Sequence, residues 1–174
     1  KKLKSIQLIE QGKINKIRGI SICGSLPKHI ADRQANSAKK VLIEYGFDNI
    51  EIEAYAVNTY SQGTSITLWA ETENSILGSD ALGKRGKPAE EVGKEAALEL
   101  IKSIESKADL DKYMADQILP FLALAEGKSE ITVEEITQHC KTNILVCEQI
   151  LGVKFDINEK MKIIGVRGID FSLF

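Results

Sequence analysis

Cysteine is scarce and odd in number: Cys23, Cys140 and Cys147 are the only three in 174 residues, and they lack metal-type spacing. A disulfide framework is therefore not expected, and a reducing cytoplasm is the expected setting. Histidine is scarcer still, with His29 and His139 alone, which argues against a zinc site. No apolar run approaches the roughly 18 residues that a membrane-crossing helix needs, so no membrane partner is expected. The start, Lys1-Lys2-Leu3-Lys4, lacks the apolar core of a signal peptide and has no initiator methionine, so the chain reads as a fragment or a processed product. An excess of either charge is also missing. Lys plus Arg is 23 against 25 for Asp plus Glu, a net charge of −2. Bulk charge thus does not mark a nucleic-acid binder, although a local basic patch stays open. Low-complexity segments and short-period repeats are absent.

What is present is an ordinary globular composition, 43% apolar and 28% charged. A chain of this length makes one medium domain or two small ones and can bury roughly 70% of its unfolded surface. Residues 3–10 read as a strand ending in a turn, and a second strand runs through Ile14, Ile17 and Ile20 to Cys23. Ala35, Ala38, Val41, Leu42 and Tyr45 recur at helical spacing, with Gly46 as the stop. Ile50, Ile52 and Ala54, then Ile66, Leu68 and Ala70, alternate with polar or exposed positions as half-buried strands. A short strand over 77–82 leads to a Gly/Lys/Arg loop. Pro88 then opens a helix whose stripe is Val92, Ala96, Ala97, Leu100, Ile101 and Ile104. Asp109 is the expected cap of a helix over 110–125, which Pro120 should kink or divide. A strand at Ile131 and Val133, a helix from Asn143 to Leu151 and a final strand pair complete an α/β (α+β) chain.

Three clusters carry candidate chemistry. Tyr113, Asp116 and Gln117 stand at i, i+3 and i+4, on one helix face of the run Tyr113-Met114-Ala115-Asp116-Gln117. Leu110, Met114, Ile118 and Leu122 are the expected core face. A ring to stack on a base, an amide to hydrogen-bond it and a carboxylate for ribose or metal suit a nucleotide. A solvated helix face with an amphipathic tyrosine is the alternative. The second cluster is His139-Cys140-Lys141-Thr142-Asn143, read at the junction of a strand and a helix. The positive end of a helix dipole there favours the neutral, nucleophilic imidazole, and free N–H groups suit a phosphate. A surface histidine that caps the helix is the alternative. Cys140 is a weaker nucleophile candidate, with no second histidine near it in sequence. The third is the loop Lys84-Arg85-Gly86-Lys87 ahead of the Pro88 helix, which either meets phosphates or is a solvated basic turn. It lacks the glycine and hydroxyl spacing of a P-loop.

Taken in order, Arg18-Gly19-Ile20, Gly83-Lys84-Arg85-Gly86-Lys87-Pro88-Ala89-Glu90, Tyr113-x-Ala115-Asp116-Gln117 and His139-x-x-Thr142-Asn143 resemble the RNA 3′-terminal phosphate cyclase family. The resemblance covers nearly the whole chain and maps onto the C-terminal half of the family's length. It implies a fold of β-α-β-α-β-β repeats with a small inserted α/β domain. Residues 1–16 then look like the end of a preceding repeat, 17–76 like the insert, and 77–174 like the third repeat carrying the nucleophile. It implies a ligase of RNA processing, which converts an RNA 3′-terminal phosphate to a 2′,3′-cyclic phosphate with ATP and Mg²⁺ or Mn²⁺. His139 matches the residue that becomes covalently adenylylated, and Tyr113, Met114, Ala115, Asp116 and Gln117 match the ATP-binding segment. The metal ligands are left unassigned. The implied partners are RNA with a 3′-phosphate end and the N-terminal half of the protein, with a homodimer for the chain alone. A non-catalytic cyclase-like ribosome-assembly protein is one alternative, against which His139 argues. An α/β RNA-binding module of another lineage is the other.

Overall fold

The computed structural model describes residues 2–171, so Lys1 and the last three residues of the tail lie outside it. The elements run β1 (Gln7–Leu8), β2 (Ile14–Gly24), α1 (His29–Glu44), β3 (Ile50–Val57), β4 (Gly63–Thr72), β5 (Ile76–Leu82) and α2 (Ala89–Glu105). They continue as α3 (Lys112–Gln117), α4 (Leu119–Leu124), β6 (Glu126–Thr132), α5 (Gln138–Leu151), β7 (Phe155–Asn158) and β8 (Ile163–Ile169). Two compact units result: a middle unit, Gly12–Glu105, and an outer unit joining residues 2–11 to 106–171.

The middle unit is a four-stranded sheet in the order β3-β2-β4-β5. β2 pairs with β3 in parallel, from Ile17↔Ile50 to Gly24↔Val57, and α1 makes the crossover that a parallel pair requires. β2–β4 and β4–β5 are antiparallel. Period-2 alternation turns Ile17, Cys23, Ile66, Leu68, Ala70, Leu77 and Ala81 inward, while Arg18, Glu51 and Thr67 stay outside. Ala38, Val41 and Leu42 of α1 and the stripe Val92, Ala96, Leu100 and Ile104 of α2 close the same core. The two helices approach closely at Gly93, where an added Cβ would stand 2.1 Å from the Gln34 carbonyl oxygen. Only a residue without a side chain lets α2 sit that near the α1 backbone.

The expected domain boundaries move. β5 pairs with β4 along its full length, from Ser65↔Leu82 to Glu71↔Ile76, and the α2 stripe buries itself with Leu68 and Leu77. The break expected at 76/77 therefore falls after Glu105, and the one expected at 16/17 falls before Gly12. Periodicity located the strands and the helix but could not say which sheet each would join.

In the outer unit the sheet order is β1-β6-β8-β7. β1 lies parallel to β6 (Gln7↔Glu130, Leu8↔Ile131), and β6–β8 and β8–β7 are antiparallel. The N-terminal strand thus has a partner within the chain, reinforced by Ser5 N–H donating to the Glu126 carbonyl at 3.1 Å. Leu110, Ala115, Leu119 and Leu122 join Ile131, Val133, Ile144, Ile164 and Val166 in its core. The helix expected over 110–125 is divided, as Pro120 implied, into two six-residue helices, with Pro120 the second residue of α4. Three local expectations change. Asp111, not Asp109, caps α3, accepting from the N–H groups of Tyr113 and Met114. Met114 is exposed, and Ala115 takes the buried place instead, with Leu119 one turn on. Helix α5 starts at Gln138 rather than Asn143, and Gly152 (φ 69°) ends it in the left-handed region.

Candidate functional site

The two specific sequence clusters meet in the outer unit. Asp111 Oδ1 accepts from Tyr113 N (2.9 Å) and Met114 N (2.8 Å), which fixes the first turn of α3 and the place of Tyr113. The Tyr113 ring is exposed, with the Lys112 ammonium 5.0 Å from its centroid. Gln117, one turn on, is also exposed and Asp116 half-buried, while Ala115 packs into the core.

Thr137 caps α5, its Oγ1 accepting from Cys140 N at 3.1 Å. His139 is exposed in that first turn. The turn leaves the N–H groups of Gln138 and His139 without intrahelical acceptors, as at every helix start. Asn143, one turn beyond His139, donates its side-chain N–H to the Asp116 carbonyl at 3.1 Å. Residues at i and i+4 share a helix face, so His139 stands on the side of α5 that meets α3. Thr142 Oγ1 instead turns back to the Gln138 carbonyl (2.9 Å), and Lys141 pairs with Glu159 (2.8 Å). The structure therefore brings the Tyr113–Gln117 segment and the His139 turn onto neighbouring helices, with Asn143 as the link.

Cys140 goes the other way. Its side chain is buried, and burial pushes the thiol up to about 11, with the Asp116 carboxylate adding to the shift and Lys141 opposing it. A thiol so held is protonated at neutral pH and is a poor nucleophile. The Lys84–Lys87 loop belongs to the middle unit, where Lys87 is paired with Glu95. Sequence reasoning missed Asp111 and Thr137 as the caps that set both turns. A Ser/Thr/Asp scan just before each cluster was the signal available. Among the described residues no three or more His, Cys, Asp or Glu side chains gather in a way that could hold a metal.

An α+β chain with an exposed histidine in the first turn of one helix, bonded through Asn143 to a second helix that carries an exposed aromatic ring and amide, defines the candidate site. The family model for the insert domain of RNA 3′-terminal phosphate cyclase matches residues 9–105. The RNA 3′-terminal phosphate cyclase of Pyrococcus furiosus is 49% identical over 144 residues, 83% of this chain and 41% of the relative. Those of Pyrobaculum neutrophilum (41% over 174 residues; 98% and 50%) and Thermococcus gammatolerans (44% over 163 residues; 94% and 47%) are similar. The chain belongs to the RNA 3′-terminal phosphate cyclase family. That removes the reading as an RNA-binding module of another lineage. The chain spans about half the length of the curated relatives it matches.

Proposed function

We propose that this chain supplies the nucleophile-bearing half of an ATP-dependent RNA 3′-terminal phosphate cyclase. The observation that supports the reading is the Asn143–Asp116 bond, which ties α5, the helix that carries the exposed His139, to α3, the helix that carries the exposed Tyr113. A nitrogen of His139 attacks the α-phosphorus of ATP, the bond to the β-phosphate oxygen breaks, and pyrophosphate leaves. The AMP group then passes to an oxygen of the RNA 3′-phosphate. The vicinal 2′-OH attacks that phosphorus, AMP departs, and the 2′,3′-cyclic phosphate remains. Tyr113 stacks on the adenine, and Asp116 and Gln117 meet its polar edge or the ribose. The first-turn N–H groups of α5 receive a phosphate. These residues fit ATP. They do not by themselves form a cage for Mg²⁺ or Mn²⁺, which would be held in part by the ATP phosphates and would there offset their charge.

The N-terminal half of the protein and RNA with a 3′-phosphate end are the proposed partners. The short edge strands β1 and β7 are where the chain alone would pair into a homodimer. Three free, buried cysteines suit a cytoplasmic setting. Of the described residues, no helix is long and apolar enough to cross a membrane.

The test gives the complete protein, both halves present, ATP labelled on the α-phosphate together with Mg²⁺ or Mn²⁺. Label should stay on the protein through denaturation, survive alkali and be lost in acid, as a phosphoramidate requires. His139→Ala should abolish it and Cys140→Ala should not. Label that persists in His139→Ala overturns the assignment.

A further inference from the structure

The middle unit contains a cavity of about 560 Å³, lined by residues including Leu26, Ile30, Gln34, Gly83, Lys84 and Val92. It opens where β4 begins, β5 ends and both helices start, so the first turns of α1 and α2 form its walls. A volume of this order is typical of small-molecule sites.

Three features of its lining point to one kind of ligand. Leu26, Ile30, Ala89 and Val92 give an apolar wall. Gln34 also lines the cavity; its residue is wholly buried, and its Nε2 has no partner. Its Oε1 accepts from Ser21 Oγ at 2.9 Å and lies 2.9 Å from Thr64 Oγ1. Turning the carboxamide over would give Nε2 those hydroxyls and strand Oε1 instead, so one polar atom lacks a partner either way. A buried, unsatisfied amide is costly unless something completes it.

The third feature is charge. Three acidic groups near this end are already taken: Arg33 grips Glu90 through two bonds of 2.7 Å, Lys28 holds Asp32, and Lys87 holds Glu95. Among the described residues Lys84 and Arg85 carry no ion pair, and both line the cavity. The positive ends of α1 and α2, sixteen and seventeen residues long, add to the same field.

An aliphatic ligand would leave the cations and the amide idle. A bare anion would leave the apolar wall unfilled. We propose that this cavity is a nucleotide-binding subsite, with the heterocycle against Leu26, Ile30 and Val92 over the Gln34 amide, and the phosphate on Lys84 and Arg85. The nucleotide is either free or one unit of an RNA strand. The subsite is separate from the Tyr113–His139 site of the outer unit.

The test is a residue-resolved ¹H–¹⁵N NMR titration of the full chain carrying Tyr113→Ala, so that stacking on α3 does not contribute. AMP should shift the amides of Leu26, Ile30, Gly63 and Gly83, and should bind better than adenosine or inorganic phosphate alone. Lys84→Ala with Arg85→Ala should weaken AMP at least about tenfold, as the loss of charge-assisted bonds implies. Leu26→Trp, which fills the apolar wall and leaves the cations, should abolish it. A short single-stranded oligoribonucleotide that binds more tightly than AMP, with steep salt dependence, identifies the strand as the source. AMP binding at least as tightly identifies the free nucleotide. Both outcomes support the subsite. It is overturned if AMP leaves those amides unmoved, if inorganic phosphate binds as well as AMP, or if the double variant binds normally. Because the readout is binding in the middle unit, its failure is distinct from a failure of His139 to take label.

Discussion

The two units hold themselves together differently. The middle unit is one continuous stretch with long elements, an eleven-residue β2 and helices of sixteen and seventeen residues, and its core is a sheet face closed by two apolar stripes. The outer unit is drawn from two stretches far apart in sequence, with a two-residue β1 and six-residue α3 and α4. Side-chain to backbone bonds supply what periodicity does not: Asp111 to α3, Thr137 to α5, Asn143 to Asp116, and Lys162 Nζ to the Glu134 carbonyl at 2.6 Å. Short helices are marginal by themselves and depend on such ties. The unit with irregular backbone is the one that presents an exposed ring and an exposed imidazole on adjoining helices. Regular packing makes a scaffold, and capped, broken segments aim side chains.

If the cores are separate, each should fail separately. Leu68→Ala removes a fully buried side chain from the middle unit and should cost that unit about 3–5 kcal/mol. Leu119→Ala should do the same to the outer unit, where Leu119 is equally buried. Hydrogen exchange read amide by amide is the check. Each substitution should lower protection in its own unit and leave the other near its original value. Equal loss in both units after either change would mean a single cooperative fold, and the contrast drawn above would break.

Periodicity made the middle unit legible from Ile17 to Ala70, because alternating strands and a 3.6-residue stripe are each repeated several times there. Its last strand and helix were seen but assigned to the wrong side of a boundary. Pairing of β5 with β4 is a long-range fact that no local window contains. In the outer unit the break at Pro120 was foreseen, since proline cannot continue a helix hydrogen-bond ladder. The cap was not, because Asp109 and Asp111 are equally good capping residues two positions apart, and tertiary packing of Ala115 decides between them. The His139 and Tyr113 clusters were legible as residue types. Their link through Asn143 was not, because a side chain reaching the Asp116 carbonyl of another helix leaves no trace in spacing.

A smaller effect sharpens the claim that the outer unit aims its side chains. In the complete protein Tyr113→Ala should weaken ATP use by about 1–3 kcal/mol if the ring stacks on a base, and Tyr113→Phe should cost little. Asn143→Ala keeps the ring and the imidazole but cuts the tie to Asp116, a bond worth roughly 1 kcal/mol. As a positioning change it should slow the adenylylation step while ATP affinity stays near normal. Single-turnover labelling across ATP concentrations separates the two. A phenylalanine variant as damaged as alanine would assign the role to the hydroxyl and remove stacking. An Asn143→Ala variant that loses affinity instead of rate would make Asn143 a ligand contact.

The smallest effect concerns the polar groups each unit buries. The middle unit buries the uncharged Gln34, and the outer unit buries the carboxyl of Asp109. Asp109 Oδ2 accepts from Thr132 Oγ1 at 2.8 Å, and Oδ1 has no partner. Burial raises the Asp109 pKa, the nearby Glu10 charge adds to the rise, and the Thr132 bond opposes it. The folded chain therefore holds this proton more tightly than the unfolded chain, whose aspartates titrate near about 3.9. Between that value and the raised folded one, the native state carries more protons. Stability of the outer unit should accordingly fall as pH rises through this window and level off above it. Asp109→Asn cannot ionise, so it should remove that component of the slope and leave the unit more stable at neutral pH than the native chain. Hydrogen exchange from pH 4 to 8, corrected for intrinsic rates, reads both units at once. The outer-unit amides should show the difference between the two chains and the middle-unit amides should not. An unchanged slope in Asp109→Asn would mean that Asp109 titrates in the folded chain as it does in the unfolded one, and the contrast in buried charge would fail.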